Sequence, residues 1–275
     1  MWAKALLAIL FALMICSAFY FQPARKRSLL ATKPSDGPRL RLMTWNVGYA
    51  DLEDDTRAQT RDLRAVAEII MTHDPDAIAI QELSGDEQLK ILLGYLGGRY
   101  RGAVARPGNA DRVEAVLVKD RAARFEDIRA DGKFALGATF HLRPELPEIV
   151  LVSAHADAFS AARRRAYTGE LVEWTEARPE GTIVFVAGDF NFEVAVKDES
   201  HLYTDDLKHD SEAYSYLLKY FRDLGRDAGD TAINDRRIDY IFGPPERVLL
   251  RRAEVLRGAA VGRMDHWPLL IEVAL

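Results

Sequence analysis

At 275 residues, 48% of them hydrophobic, the chain can build one large α/β domain with a sizeable core plus an N-terminal appendage. Its formal charge is −5, and with Lys4, Arg25, Lys26 and Arg27 set aside the remaining 33 basic and 42 acidic residues give −9, which argues against a broadly basic nucleic-acid-binding surface. The single cysteine, Cys16, leaves the rest of the chain without an internal disulfide or a thiolate metal site.

The first predicted element is a targeting or anchoring segment. Seventeen residues from Ala5 to Phe21 carry no charge, between Lys4 and Arg25-Lys26-Arg27, a length between a signal-peptide core and a membrane span. Residues 1–27 are therefore expected to be a signal peptide or membrane anchor. Residues 28–38, with Pro34-Ser35-Asp36-Gly37-Pro38, read as a linker, and residues 39–275 as the folded domain. The basic cluster after the segment would keep the domain in the cytoplasm if the segment stays, whereas cleavage would export it.

Beyond the linker, Leu40, Leu42 and Thr44 alternate with Arg39, Arg41 and Met43 in a first strand. Leu63, Val66, Ala67 and Ile70 follow at helical spacing until Asp74-Pro75. Further strands are predicted at 77–80, 113–118, 149–153, 182–187, 238–242 and 269–273, with helices at 86–96, 161–177 and 211–221. The acidic run Asp51 to Asp55 reads as a loop before the first helix, and Arg163-Arg164-Arg165 as a solvated helical face. Loops between Glu193 and Asn234, with Tyr203, Tyr214, Tyr216 and Tyr220, are expected to govern substrate choice.

Six short motifs lie at the ends of these apolar runs: Thr44-Trp45-Asn46, Gln81-Glu82, His155-Ala156-Asp157, Gly188-Asp189-Phe190-Asn191, Arg237-Ile238-Asp239-Tyr240 and Asp265-His266. Hard oxygen donors suited to Mg²⁺ recur among them, and Glu82, ending Ala77-Ile78-Ala79-Ile80, is the best metal ligand. Asp189 can orient or deprotonate a water while the Asn191 amide holds a phosphate oxygen. His155 can donate to a phosphoryl oxygen as charge builds. Asp265 supplies a metal-binding or organising carboxylate, and His266 an imidazole that takes a proton near neutral pH. Asp239, inside an apolar strand, is costly to bury unpaired; His266 is its expected partner, with a salt bridge to Arg236 or Arg237 as the alternative.

In order and approximate spacing these motifs resemble the endonuclease/exonuclease/phosphatase superfamily, which includes deoxyribonuclease I, abasic-site endonucleases, neutral sphingomyelinases and inositol-polyphosphate phosphatases. The resemblance covers residues 39–275. It implies a four-layer α/β/β/α sandwich of two packed mixed β-sheets with the site at one end. It further implies that Asn46 and Glu82 hold a divalent ion, Mg²⁺ with Mn²⁺ or Ca²⁺ as substitutes, that Asp265 helps organise it, and that His155 contacts the scissile phosphate. Asp189 and Asn191 would position nucleophile and phosphate, with His266, oriented by Asp239, as base or phosphate-stabilising group. Asp157 matches the His-x-Asp form of some branches.

Departures narrow the substrate. Met264 stands where many members have serine. Arg237-Ile238-Asp239 differs from the Cys-Asp-Arg of inositol phosphatases, and Gly48-Tyr49-Ala50 and Leu83-Ser84-Gly85 differ from the abasic-endonuclease pattern. The expected function is metal-assisted hydrolysis of a phosphodiester, in a nucleic acid or a phospholipid headgroup, with membrane contact through the N-terminal segment and no protein partner. A phosphomonoesterase and a non-catalytic, membrane-anchored binding module of the same fold are the alternatives.

Overall fold

The computed structural model describes residues 37–48, 56–106, 112–194, 196–197 and 203–275. The N-terminal apolar segment and the acidic run 51–55 lie outside them. Among the described residues no helix is long and apolar enough to cross a membrane.

Twelve strands form two six-stranded sheets. The first has the order β11 (Leu249–Val255), β12 (Leu269–Ala274), β1 (Arg39–Asn46), β2 (Ala77–Leu83), β4 (Val113–Val118), β3 (Arg101–Val104). The second has the order β5 (Arg124–Ala130), β6 (Lys133–Phe140), β7 (Ile149–His155), β8 (Ile183–Asp189), β10 (Asp239–Gly243), β9 (Arg222–Asp223). The β1/β2 and β7/β8 pairs are parallel and the others antiparallel, so both sheets are mixed.

Period-two alternation explains how the sheets stack. Leu40 and Leu42 of β1, Ala77 and Ala79 of β2, Leu151 of β7 and Phe185 and Ala187 of β8 turn toward the opposite sheet and form one core. The intervening Met43, Trp45, Ile78 and Ile80 pack with Leu63, Val66 and Ile70 of α1 (Thr56–His73) and with Leu89 and Leu92 of α2 (Asp86–Tyr95). On the far side Val152, Val186, Tyr240 and Phe242 pack with Tyr167 and Leu171 of α3 (Ala161–Glu176) and with Ala213 and Leu217 of α4 (Leu207–Leu217). Three apolar layers thus separate four layers of structure, the α/β/β/α sandwich. Each fully buried Leu, Ile or Phe contributes roughly 1.5–3 kcal/mol.

β5 and β11 are edge strands that the hydrophobic pattern did not mark, because edges exposed to water carry charge: Arg124, Glu126, Asp127 and Arg129 on one, Arg251, Arg252 and Glu254 on the other. α4 starts four residues before the predicted 211 because Asp206 caps it, accepting from Lys208 N and His209 N.

Candidate active site

The same alternation gathers the polar motifs. Continuing along the face that buries Leu40 and Leu42, β1 ends in Asn46; the inward rows of β7, β8 and β10 contain His155, Asp189 and Asp239. Asp189 lies in register with both His155 and Asp239, and Asn46 with Gln81. Just beneath, Gln81 Nε2 donates to Ser153 Oγ at 2.9 Å, Ser153 Oγ donates to the Ile80 carbonyl at 3.0 Å, and Thr44 Oγ1 donates to Gln81 Oε1 at 3.3 Å. This buried polar bridge fixes one sheet against the other.

Glu82 breaks the alternation. Strict period two would send its side chain out toward the helices with Ile80. Instead the β2/β4 register shifts between Ile80 and Leu83 and Glu82 takes a φ of 63°, a bulge that re-aims the carboxylate into the cleft. Asn46 Nδ2 donates to Glu82 Oε1 at 3.1 Å and to Asp189 Oδ2 at 3.0 Å. Asn46 Oδ1 accepts from Gly48 N at 2.8 Å. A Cβ at Gly48 would stand 2.5 Å from Glu82 Oε2, so glycine keeps the space beside that oxygen open.

Two imidazoles face each other across Asp189. His155 Nε2 lies 3.7 Å from both Glu82 Oε1 and Asp189 Oδ2, and His266 Nε2 lies 3.8 Å from Asp189 Oδ2. His266 Nδ1 pairs with Asp239 Oδ2 at 2.8 Å. Neither neighbouring arginine takes Asp239: Arg236 pairs with Glu193 and Arg237 with Asp223. The His266 carbonyl accepts from Trp45 Nε1 at 3.2 Å, holding the residue to β1. Asn191, with φ 53°, donates its backbone N–H to Asp189 Oδ1 at 2.9 Å. Asp265 is farther out, its Oδ1 4.0 Å from His266 Nε2 and its side chain one-third exposed.

Electrostatics follow from burial and pairing. Burial alone would lower His266, but Asp239, then Asp189 and Asp265, outweigh it and push the imidazole up to about 9. Burial raises Asp239, with His266 only partly offsetting it; its Oδ1 has no hydrogen-bond partner among the described residues. Asp189 goes the other way: burial raises it, but His266, His155, the Asn46 amide and the Asn191 N–H together hold it below the usual carboxylate range.

Several site residues escaped sequence reasoning. Glu114 of β4 is buried, with Oε1 3.6 Å from His155 Nδ1. The pattern that exposes Asp239, a carboxylate inside an apolar strand, is equally present in Val113-Glu114-Ala115-Val116. Lys133 donates to the Ala156 carbonyl at 3.0 Å; burial lowers it, partly offset by Glu114, Asp157 and Asp189. The Arg112 guanidinium pairs with Glu82 Oε2. Asp157 points into its own turn and accepts from Phe159 N and Ser160 N at 2.9 and 2.8 Å. Burial raises its carboxyl, but these N–H groups and Arg163 outweigh it and hold the group low.

The solvated-face reading of Arg163-Arg164-Arg165 is corrected at its middle residue. Arg164 is wholly buried, its Nε 2.7 Å from Asp210 Oδ1 and its NH2 3.0 Å from Asp210 Oδ2. It also donates to the Asp157 carbonyl and to Thr204 Oγ1. Arg163 and Arg165 are exposed and pair with Asp131 and Glu212.

A divalent cation fits this chemistry. Glu82 and Asn46 present hard oxygens beside the gap kept by Gly48, and Arg112 already brings positive charge to Glu82 Oε2. Asp189, Asp239 and His266 also bring ligand atoms within 4.8 Å of one another. In that second group His266 Nδ1 and Asp239 Oδ2 are already hydrogen-bonded to each other.

The sequence pattern of the Endonuclease/Exonuclease/phosphatase family matches residues 43–262. No curated protein matches the chain. Among solved structures, it is similar to an endonuclease/exonuclease/phosphatase from Bacteroides vulgatus, at 20% identity and TM-score 0.68, covering 86% of this chain and 99% of that one. The human Nocturnin catalytic domain with bound sulfate anion aligns at 18% identity and TM-score 0.67, over 86% and 94%. D. rerio TDP2 complexed with single strand DNA product aligns at 14% and 0.60, over 86% and 99%. With the family pattern spanning most of a two-sheet sandwich whose polar motifs meet at one end, the chain belongs to the endonuclease/exonuclease/phosphatase family of phosphoester hydrolases.

Proposed function

We propose that the chain is a divalent-metal-dependent phosphodiesterase acting by in-line attack of water, with residues 39–275 as its catalytic domain and residues 1–27 as a membrane anchor or export signal. One observation carries the reading: two imidazoles flank a buried Asp189 that accepts from the Asn46 amide, which also donates to Glu82. Glu82 and Asn46, with Asp265 as organiser, would hold Mg²⁺, for which Mn²⁺ or Ca²⁺ can substitute. When bound, the cation supplies Lewis-acid polarisation of the phosphate. Asp189, held ionised, orients the water and accepts its proton. The Asn191 amide and His155 hold phosphate oxygens, His155 steadied by Glu114. His266, kept protonated by Asp239, donates to the oxygen on which charge develops. The D. rerio neighbour is complexed with single strand DNA product, which makes a nucleic acid strand one substrate class; a phospholipid headgroup is the other.

The test is hydrolysis of bis(p-nitrophenyl) phosphate by the full chain with Mg²⁺ or with EDTA. Turnover should require the cation and fall at least about 100-fold in both Glu82→Gln and His266→Ala. A folded protein inactive with every divalent cation would sink the reading.

A further inference from the structure

Large apolar side chains left in water are few here, and they are not scattered. Among the described residues five are conspicuously exposed: Phe159 at 71%, Tyr203 at 51%, Ile233 at 43%, Leu218 at 40% and Val196 at 36%. Four of them, all but Leu218, sit on loops at the catalytic end. Phe159 follows His155 by four residues, in the turn pinned by Asp157, which accepts the Phe159 N–H. Ile233 donates its backbone N–H to the Asp265 carbonyl at 2.9 Å. Tyr203 lies 4.6 Å beneath the Arg236 guanidinium, three residues before Asp239, and its neighbour Thr204 is tied to Arg164. Val196 precedes Lys197, which is paired with Asp230 beside the Thr231 that caps Asp239 N. Turns tied by hydrogen bonds to the catalytic-end segments thus carry four exposed apolar side chains, an apolar collar where solvent alone would favour polar residues.

We infer that this collar seats the cleft on a zwitterionic phospholipid surface. The charges around the mouth argue against the other apolar-faced partner, a nucleic acid strand. Arg112 pairs with Glu82, Arg163 with Asp131, Arg236 with Glu193, and Lys197 and Arg257 with Asp230. Among the described residues these cations are already spent on carboxylates, which in a net-acidic chain makes a poor track for a phosphate backbone. A surface without net charge takes Phe, Ile, Val and Tyr into its interfacial layer and meets no repulsion from the acidic body. The uncharged run from Ala5 to Phe21 fits the same environment. That the phosphodiester attacked belongs to such a surface rests on the function proposed above.

The experiment uses the full chain with Phe159→Trp, its emission taken as the difference from wild type so that native tryptophans, including Trp2, cancel. With unilamellar phosphatidylcholine vesicles carrying brominated acyl chains, the introduced indole should shift to the blue and be quenched, while Leu218→Trp, outside the collar, should do neither. Unchanged Phe159→Trp emission overturns the inference. So does quenching by a single-stranded DNA oligonucleotide with no response to vesicles, which would make the collar a base-stacking rim. Turnover of bis(p-nitrophenyl) phosphate by the same protein is read separately. Turnover without quenching removes the collar and keeps the hydrolase; quenching without turnover does the reverse. Where both hold, Phe159→Ser/Ile233→Ser should lose at least about tenfold on vesicle-borne phosphodiesters and keep its rate on the soluble one.

Discussion

Gly188 takes a φ of 146° where β8 runs against β7, and a Cβ there would drive into the Ala154 carbonyl oxygen. Backbone, not a flexible side chain, is in the way, so nothing nearby can yield. Gly188→Ala should therefore cost at least about 2 kcal/mol, read as a lowered Tm, and should displace Asp189 with it. The His266–Asp239 pair gives a pH-dependent prediction with a definite sign. The folded imidazole is raised to about 9 from its ordinary value of 6.5, so the pairing stabilises fully below 6.5. It weakens as pH rises and is lost above about 9. In EDTA, the Tm gap between wild type and Asp239→Asn should be wide at pH 6 and narrow toward pH 10. A gap that widens with pH would mean that the imidazole is neutral in the folded protein.

At the scale of elements, α3 and α4 are joined by an ion pair with both side chains fully buried. Such a pair stabilises little relative to apolar replacements, yet breaking it strands a charge. Asp210→Leu should cost about 3–5 kcal/mol, whereas Arg164→Met/Asp210→Leu should cost less than the single change. Chemical denaturation of the three proteins checks the order. Arg164 was legible in principle: Ala161, Arg164, Tyr167, Thr168, Leu171, Val172 and Thr175 form one helical stripe, whereas the solvated-face reading rested on three consecutive charges spread around the helix. Most inner strands were readable because apolar runs of β-branched residues name a buried strand, and carboxylates and imidazoles at their ends stand out; inner strand β6 was not marked, since its run holds no Val or Ile and is broken by Gly137. Charged β5 and β11 had no such contrast. Nor does any residue type announce the bulge that turns Glu82 inward, since positive φ at a glutamate is set by the register against β4. Glu114 was legible in principle too, since a carboxylate inside the apolar run Val113–Val118 is costly to bury without a partner such as His155.

For the whole molecule, a cation held at Glu82 as proposed would add stability only to the folded state, since Asn46 and Glu82 come from different strands. Mg²⁺ at 100-fold over its dissociation constant should stabilise the full chain by about 2.7 kcal/mol, and Glu82→Gln should abolish most of that gain. Calorimetry with and without EDTA reads this whether or not any substrate turns over. An equal Mg²⁺ response in the variant would remove Glu82 from the binding site. β1 and β12 lie side by side, Arg39 NH1 bonded to Glu272 Oε1 across 233 residues of sequence. Trp45 of β1 also holds the His266 carbonyl. During synthesis, then, the residue that begins the cleft waits for the residue that completes it: a ribosome must deliver β12 before Asn46 and His266 can share a site. A chain released short of that strand has no working cleft to leave behind, so premature termination yields inert protein and not a stray hydrolase.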